Sequence, residues 1–349
     1  MLEIECPETE MLGAVRPISA SCSKHIKTHL GDRRTWRILI IACILTIATA
    51  SQGDSDNDFV ICNSDCKSTV CTDNQLSKFG SGFPFWSCSD DCAYDCMHSI
   101  TAERFRKGYG PLKYYGHWPF LRIFGLEEPA SVIFSLLNAV PYFISMLKAT
   151  LSSPSNVQPH YMQPWLYLYY FISIETWLAS AFFHSRKTEL ASLIDYASAL
   201  LFLGYSLWLA LRRIWGPQAH SNYVAVAFAF LTSLYSYQVI QMYGGFVSFG
   251  DHMKVSITVA VLNVVTWLSW LLFSSEKVEG SGNYRYLCLV CQVWFSLAAL
   301  LELFDFSAIW GLFDAHSLWH AATVPLGFLW AYFWEVDRDT YAIKSKLHL

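Results

Sequence analysis

Seven apolar blocks, each about 20 residues long, recur along this 349-residue chain near 131–150, 163–184, 192–212, 222–241, 254–274, 284–304 and 316–335. A helix of that length crosses the ~30 Å hydrocarbon core of a bilayer. Backbone groups in lipid must bond within their own segment, so helices are the expected form. The fold class expected is therefore an all-α membrane protein, a seven-transmembrane helix bundle. Composition agrees: charged residues are 15% of the chain, against about 25% in soluble domains. The net charge of −4 gives no basic footprint for nucleic acid.

A signal precedes the blocks. Arg33, Arg34 and Arg37 lead into the apolar run Ile38 to Ile47, followed by Ala48-Thr49-Ala50. A charged region, a short apolar region and an A-x-A site read as a secretory signal, with cleavage expected after Ala50; an uncleaved anchor is the alternative. Behind it lie Cys62, Cys66, Cys71, Cys88, Cys92 and Cys96. An even set of tightly spaced cysteines in a secreted segment reads as a disulfide framework with fifteen possible pairings, and a zinc ribbon is the rival. The organisation expected is a leader with signal peptide over 1–50, a small disulfide-rich lumenal domain over 51–125, a seven-helix domain over 126–336 and a cytosolic tail over 337–349.

Loop charges give the same orientation. With the cysteines in the lumen, Lys148, Arg212, Arg213, Lys277, Arg285, Arg338, Lys344 and Lys346 are cytosolic, while only Arg186, Lys187 and Lys254 lie in short lumenal loops. That is the sense of the positive-inside rule.

Polar residues inside the apolar blocks mark function, because burying them in hydrocarbon is costly. The second block ends Ser180-Ala-Phe-Phe-His184, the third begins near Asp195, and the seventh begins His316-Ser-Leu-Trp-His320. Counting crossings puts all five at one membrane depth, on the lumenal side. Residues at i and i+4 share a helix face, so His316 and His320 can reach one ion together. A third histidine, His184, completes a three-protein-ligand set with an open position, the pattern of a catalytic zinc site. Asp195 suits a general base and Ser180 an oxyanion donor. Taken alone an H-x3-H spacing is weak, as His25 and His29 in the leader show. Glu302, Asp305 and Asp314 are candidates to hold histidine ring N–H groups, with solvation of helix ends as the alternative. Glu128 is a candidate ligand of a second cation such as Ca2+, although carboxylates also favour helix N-termini for their dipole. Cys288 and Cys291 read as packing residues.

These segments resemble the Per1-like family: Tyr114-Tyr-Gly-His-Trp-Pro-Phe120, Glu128-Pro-Ala-Ser-Val-Ile-Phe-Ser-Leu-Leu-Asn138, Phe183-His-Ser-Arg186, Asp195-Tyr196 and Asp314-Ala-His-Ser-Leu-Trp-His320. That family sits with alkaline ceramidases and progestin/adipoQ-type receptors in a wider seven-helix superfamily. The resemblance implies a zinc-dependent hydrolase, with His184, His316 and His320 as ligands and Ser180 and Asp195 assisting. It implies removal of the sn-2 acyl chain from the GPI lipid of anchored proteins, in Golgi or endoplasmic reticulum membranes, with those proteins and membrane lipid as the substrate partners. Two positions depart from the family pattern: Lys187 stands where Asp is common and His117 where Lys is common. The rival functions are amide hydrolysis of ceramide at the same site, a seven-helix receptor holding a structural ion, and a transporter. The one-sided placement of the polar residues, with Glu175 the main exception, speaks against the last.

Overall fold

The computed structural model describes residues 52–71, 86–151, 161–217, 220–246, 249–273 and 284–347. The leader and the expected cleavage point lie outside the described residues, as does Lys277. The described chain is helical, with three isolated two-residue bridges in its loops.

Two helices form the cysteine-rich segment, α1 (Asn57–Thr69) and α2 (Cys88–Arg106). Asp56 caps the first by accepting from Asp58 N at 3.0 Å. A reciprocal Ser87/Asp90 capping box starts the second, satisfying donors that a helix leaves orphaned. Of the fifteen pairings, the structure has Cys62–Cys96, Cys66–Cys92 and Cys71–Cys88. The order is nested because Cys62 and Cys66 share one face of α1, Cys92 and Cys96 share one face of α2, and the helices run antiparallel. Phe59 is buried between them against Cys96 and Tyr114. That core is small, so the three cross-links carry much of the segment's stability.

The remaining helices are α3 (Pro129–Leu151), α4 (Gln163–Ser185), α5 (Glu189–Trp215), α6 (Ser221–Tyr243), α7 (Phe249–Phe273), α8 (Arg285–Phe304) and α9 (Ala315–Leu347). The expected blocks fall inside these seven almost end to end. Six of them, α3 to α8, are long and apolar enough to cross a membrane, which makes the chain a multi-pass membrane protein. The seventh, α9, is 33 residues long, but its histidines and its tryptophans Trp319, Trp330 and Trp334 dilute its hydropathy. Neighbour contacts run α3–α4–α5–α7–α8–α9 and return from α9 to α3, closing a ring, with α6 packed on the outside of α5. Close approach of α3 and α9 depends on Gly327: a Cβ there would stand 2.7 Å from Pro141 Cγ.

One end of the ring is filled by Trp267, Trp270, Tyr284, Phe333 and Trp334. There Arg213 and Asp337 form a buried pair: Arg213 donates to Asp337 Oδ1 at 2.7 Å, and Tyr284 OH donates to the same oxygen at 2.8 Å. Arg213 is thus a packing charge between α5 and α9 rather than a loop charge. Likewise α9 runs unbroken through 337, and Asp337, the first residue of the expected cytosolic tail, is buried at 1% exposure.

Candidate metal centre

The other end of the ring holds the histidines, and its geometry begins with a junction of helix ends. The last carbonyls of α4 have no partner within their own helix. The chain entering α3 supplies it: Glu128 N donates to His184 O at 3.1 Å, and Glu127 N donates to Ser185 O at 3.0 Å. This junction sets Glu128 beside His184, where its carboxylate Oε2 lies 2.6 Å from His184 Nδ1. On α9, Asp314 and Ser317 close the N-terminal turn, with Ser317 N donating to Asp314 Oδ1 at 2.8 Å and Asp314 N to Ser317 Oγ at 2.9 Å. Within that turn, His316 Nδ1 meets Glu302 Oε2 of α8 at 2.7 Å.

The three imidazoles then converge. The Nε2 atoms of His184 and His316 are 3.3 Å apart, those of His320 and His184 3.2 Å, and those of His320 and His316 3.0 Å. His184 and His316 use Nδ1–H to bind carboxylates, so each aims a lone pair from Nε2 at the common point. His320 has at most one proton to give there. At least two of the three close contacts therefore pair lone pairs with no proton between them, an arrangement a cation relieves. Tetrahedral zinc holds nitrogen ligands at ~2.0–2.1 Å, which sets them roughly 3.3 Å apart. The spacing, the nitrogen donors and the carboxylates behind two of them all fit that ion.

His184 and His320 are 1% and 2% exposed, while His316 is partly exposed and opens the site outward. His320 is held from behind by Asn138, whose Nδ2 donates to His320 O at 2.8 Å and to Phe134 O at 2.9 Å. Ser180 is buried one turn below His184, its Oγ 3.1 Å from Ser135 Oγ. Asp195 lies on α5 in the electrostatic field of His316, Lys187 and Glu128. Its neighbour Tyr196 stacks on His252 of α7 at 5.0 Å, a histidine that sequence patterning had not singled out.

Not every candidate reaches a histidine. Glu302 does. Asp305 instead ends α8 in a left-handed conformation, φ 36°, pairs with the Lys113 ammonium and accepts from Trp118 Nε1 at 3.1 Å. Asp314 caps α9. Glu128 is taken by His184 on one oxygen and by the Lys187 ammonium on the other. Burial alone would raise the Glu128 carboxyl, but the Lys187 charge and the His184 hydrogen bond outweigh it and hold the group well below the usual carboxylate range. Its neighbour Glu127 is pushed up by burial, which the nearby Lys187 only partly offsets.

The cysteine-rich segment is fastened to this end. Arg186, two residues past His184, donates to Asp90 Oδ2 at 2.9 Å. Arg122 binds Asp91 at 3.1 Å and lies 3.5 Å over the Trp86 ring. His117 enters from a two-residue hairpin whose turn residues, Tyr115 and Gly116, have φ 51° and 84°, the I′ form that such short loops require. Burial, and then the facing Lys187 charge, keep the His117 imidazole well below its ordinary pKa.

The Per1-like family model matches residues 81–338, a stretch that takes in the whole site. A Xenopus tropicalis protein, "GPI-specific phospholipase A2-like PGAP3", is 31% identical over 312 residues, covering 87% of this chain and 96% of its own. The Drosophila melanogaster "Post-GPI attachment to proteins factor 3" is 33% identical over 304 residues, covering 84% and 91%. The Homo sapiens "GPI-specific phospholipase A2-like PGAP3" is 28% identical over 318 residues, covering 88% and 96%. No solved structure matches the chain. With its model matched across most of the sequence, the chain belongs to the Per1-like family.

Proposed function

We propose that this protein remodels GPI anchors by hydrolysing the sn-2 acyl ester of the GPI phosphatidylinositol on anchored proteins, with a zinc ion held by His184, His316 and His320. The observation that carries the reading is the convergence of three Nε2 atoms within 3.3 Å, with two rings oriented by carboxylates. The relatives' names, which read "GPI-specific phospholipase A2-like", supply the substrate class. When bound, the ion contributes Lewis acidity, polarising the ester carbonyl and lowering the pKa of water toward neutrality.

The chain's own residues do the rest. Ser180 donates a hydrogen bond to the carbonyl oxygen as negative charge develops on it. Asp195 takes the proton from the attacking water and returns it to the departing glycerol oxygen. Water adds across the ester, the acyl C–O bond breaks, and a fatty acid and a lyso-lipid leave. Glu128 and Glu302 fix the ring orientation of His184 and His316 through Nδ1. The ester of a membrane lipid lies at the boundary between headgroup and hydrocarbon, where the ends of α4 and α9 would stand if these helices span the bilayer.

In this reading α9 is a seventh crossing, the cysteine-rich segment and the histidines face the lumen of the Golgi or endoplasmic reticulum, and the leader is removed. The loop charges and the disulfides support that orientation.

Mass spectrometry of GPI lipids from cells lacking the protein tests the proposal. Unremodelled sn-2 chains should accumulate, wild type should restore remodelling, and His184→Ala should not. Restoration by His184→Ala would reject the mechanism. Fast ceramide turnover by the purified protein with GPI lipid left intact would reject the substrate.

A further inference from the structure

A second polar site lies far from the histidines. A cavity of about 120 Å³ opens between α3, α4 and α9, lined by Ser145, Lys148, Gln163, Tyr170, Glu335 and Arg338 among others. Its distance from the metal centre can be counted along three helices. Lys148 is 20 residues beyond Glu128, Gln163 is 21 before His184, and Arg338 is 22 beyond His316. At 1.5 Å per residue each path is about 30 Å, the thickness of a bilayer core. The cavity therefore sits at the opposite membrane boundary, the cytosolic one by the charge bias of the short loops.

Its lining is rich in donors that the protein leaves unused. Ser145 and Tyr170 are 5% and 4% exposed, and neither hydroxyl has a hydrogen-bond partner among the described residues. Lys148 spends one of its three N–H groups on Glu335 Oε1 at 3.0 Å. Arg338 spends only Nε, on Asp339 Oδ1 at 3.1 Å, which leaves the two terminal nitrogens of its guanidinium. Glu335 offsets one of the two cations and Asp339 tempers the other, so the site is not simply a positive patch. It is a buried set of hydroxyls flanked by a flexible ammonium and a planar guanidinium. A single water needs only about 10–15 Å³ of such space, so the cavity has room for a group larger than a water.

We propose that this cavity binds a phosphate group at the membrane face opposite the metal centre. Serine and tyrosine hydroxyls donate to its oxygens from inside, and Lys148 and Arg338 close on it from the rim. Two sources offer that chemistry: the headgroup of an anionic phospholipid in the adjoining leaflet, or a soluble phosphate. A lipid fits the position best, because the cavity opens at the ends of three membrane helices and basic pockets between such helices take anionic headgroups.

The full chain, reconstituted in nanodiscs, tests this. Lipid retention by native mass spectrometry and the unfolding temperature are measured in phosphatidylcholine alone, with added phosphatidylserine, and in phosphatidylcholine with inorganic phosphate. Retention of phosphatidylserine with a raised unfolding temperature supports a headgroup site. The same rise with inorganic phosphate in neutral discs supports a soluble ligand at the same site. Lys148→Gln with Arg338→Gln should weaken retention about tenfold or more, as expected for loss of charge-assisted hydrogen bonds. Tyr170→Phe should weaken it less, and Arg106→Gln with Lys107→Gln, an equal charge change at and just past the end of α2, should leave it unchanged. Phosphatidylserine retained no better than phosphatidylcholine together with no response to inorganic phosphate, or retention undiminished in the Lys148/Arg338 variant, would overturn the proposal.

Discussion

Replacing Glu128 with Gln separates two consequences of one buried carboxylate. Glu128 is 3% exposed. One oxygen orients His184 at 2.6 Å and the other neutralises the Lys187 ammonium, whose side chain is 10% exposed. Gln keeps the volume and can still accept from His184 Nδ1, but without charge. Loss of such a partner behind a ligand weakens metal affinity about 10–100-fold, roughly 1.4–2.7 kcal/mol. It also strands the Lys187 charge in a buried place, and breaking a buried pair on one side costs about 3–5 kcal/mol. The second cost should disappear when Lys187→Met is added, whereas the first should remain. The assay is a double-mutant cycle on purified protein, reading unfolding temperature and the chelator concentration that removes half the bound metal. If Glu128→Gln retained its ion as firmly as wild type, the reasoning that ties His184 to its carboxylate would fail. If Lys187→Met gave no recovery of stability, the buried-charge account would fail instead.

Three further outcomes follow from the same geometry. Chelation of the purified protein should abolish lipid hydrolysis, with recovery on adding zinc, and His316→Ala should be equally inactive and not recover; hydrolysis at full rate after metal-free dialysis would refute this. Arg213→Met should destabilise by about 3–5 kcal/mol because it strands Asp337 in the core, and Arg213→Met with Asp337→Leu should recover most of that loss, both measured as shifts in the unfolding transition. His117 has a folded pKa depressed below its unfolded value, so protonation favours the unfolded chain: its contribution weakens stability progressively as pH falls below about 6.5. His117→Gln should flatten that part of the pH–stability curve, and an unchanged slope in the variant would show that the imidazole is not held neutral.

Much of the site was legible because helical periodicity and membrane crossings are both counting rules. The meeting of His184, His316 and His320 was readable from spacing on a helix face; the parts given to Ser180 and Asp195 rest on the same counting and belong to the proposal. The remainder depends on contacts between segments far apart in sequence. Glu128 reaches His184 across 56 positions only because the start of α3 satisfies the open carbonyls at the end of α4, and a composition of carboxylates near a helix start does not reveal that. Disulfide connectivity became readable only once α1 and α2 were known to be antiparallel, since the i, i+4 pairs alone permit crossed or nested bonds. Arg213 and Asp337 look like a loop charge and a tail charge in sequence; their burial comes from the packing of α5, α8 and α9.

The fastening of the cysteine-rich segment bears on how the site is kept in shape. Asp90 caps α2 through Ser87 and also binds Arg186, two residues from a candidate metal ligand. Cys88, bonded to Cys71, is in the first turn of the same helix. Loosening that turn would cost the Arg186–Asp90 contact and leave the end of α4 held by the α3 entry alone. The three histidines come from two helices, α4 and α9, whose ends would otherwise be free to splay at the membrane surface. The carboxylates of the α3 entry and of α8 hold the imidazoles from two sides, and the cross-linked pair α1 and α2 holds the connecting loop from above. The Arg186–Asp90 contact thus joins the cross-linked pair α1 and α2 to the loop that follows His184, beside the α3 entry that holds the end of α4.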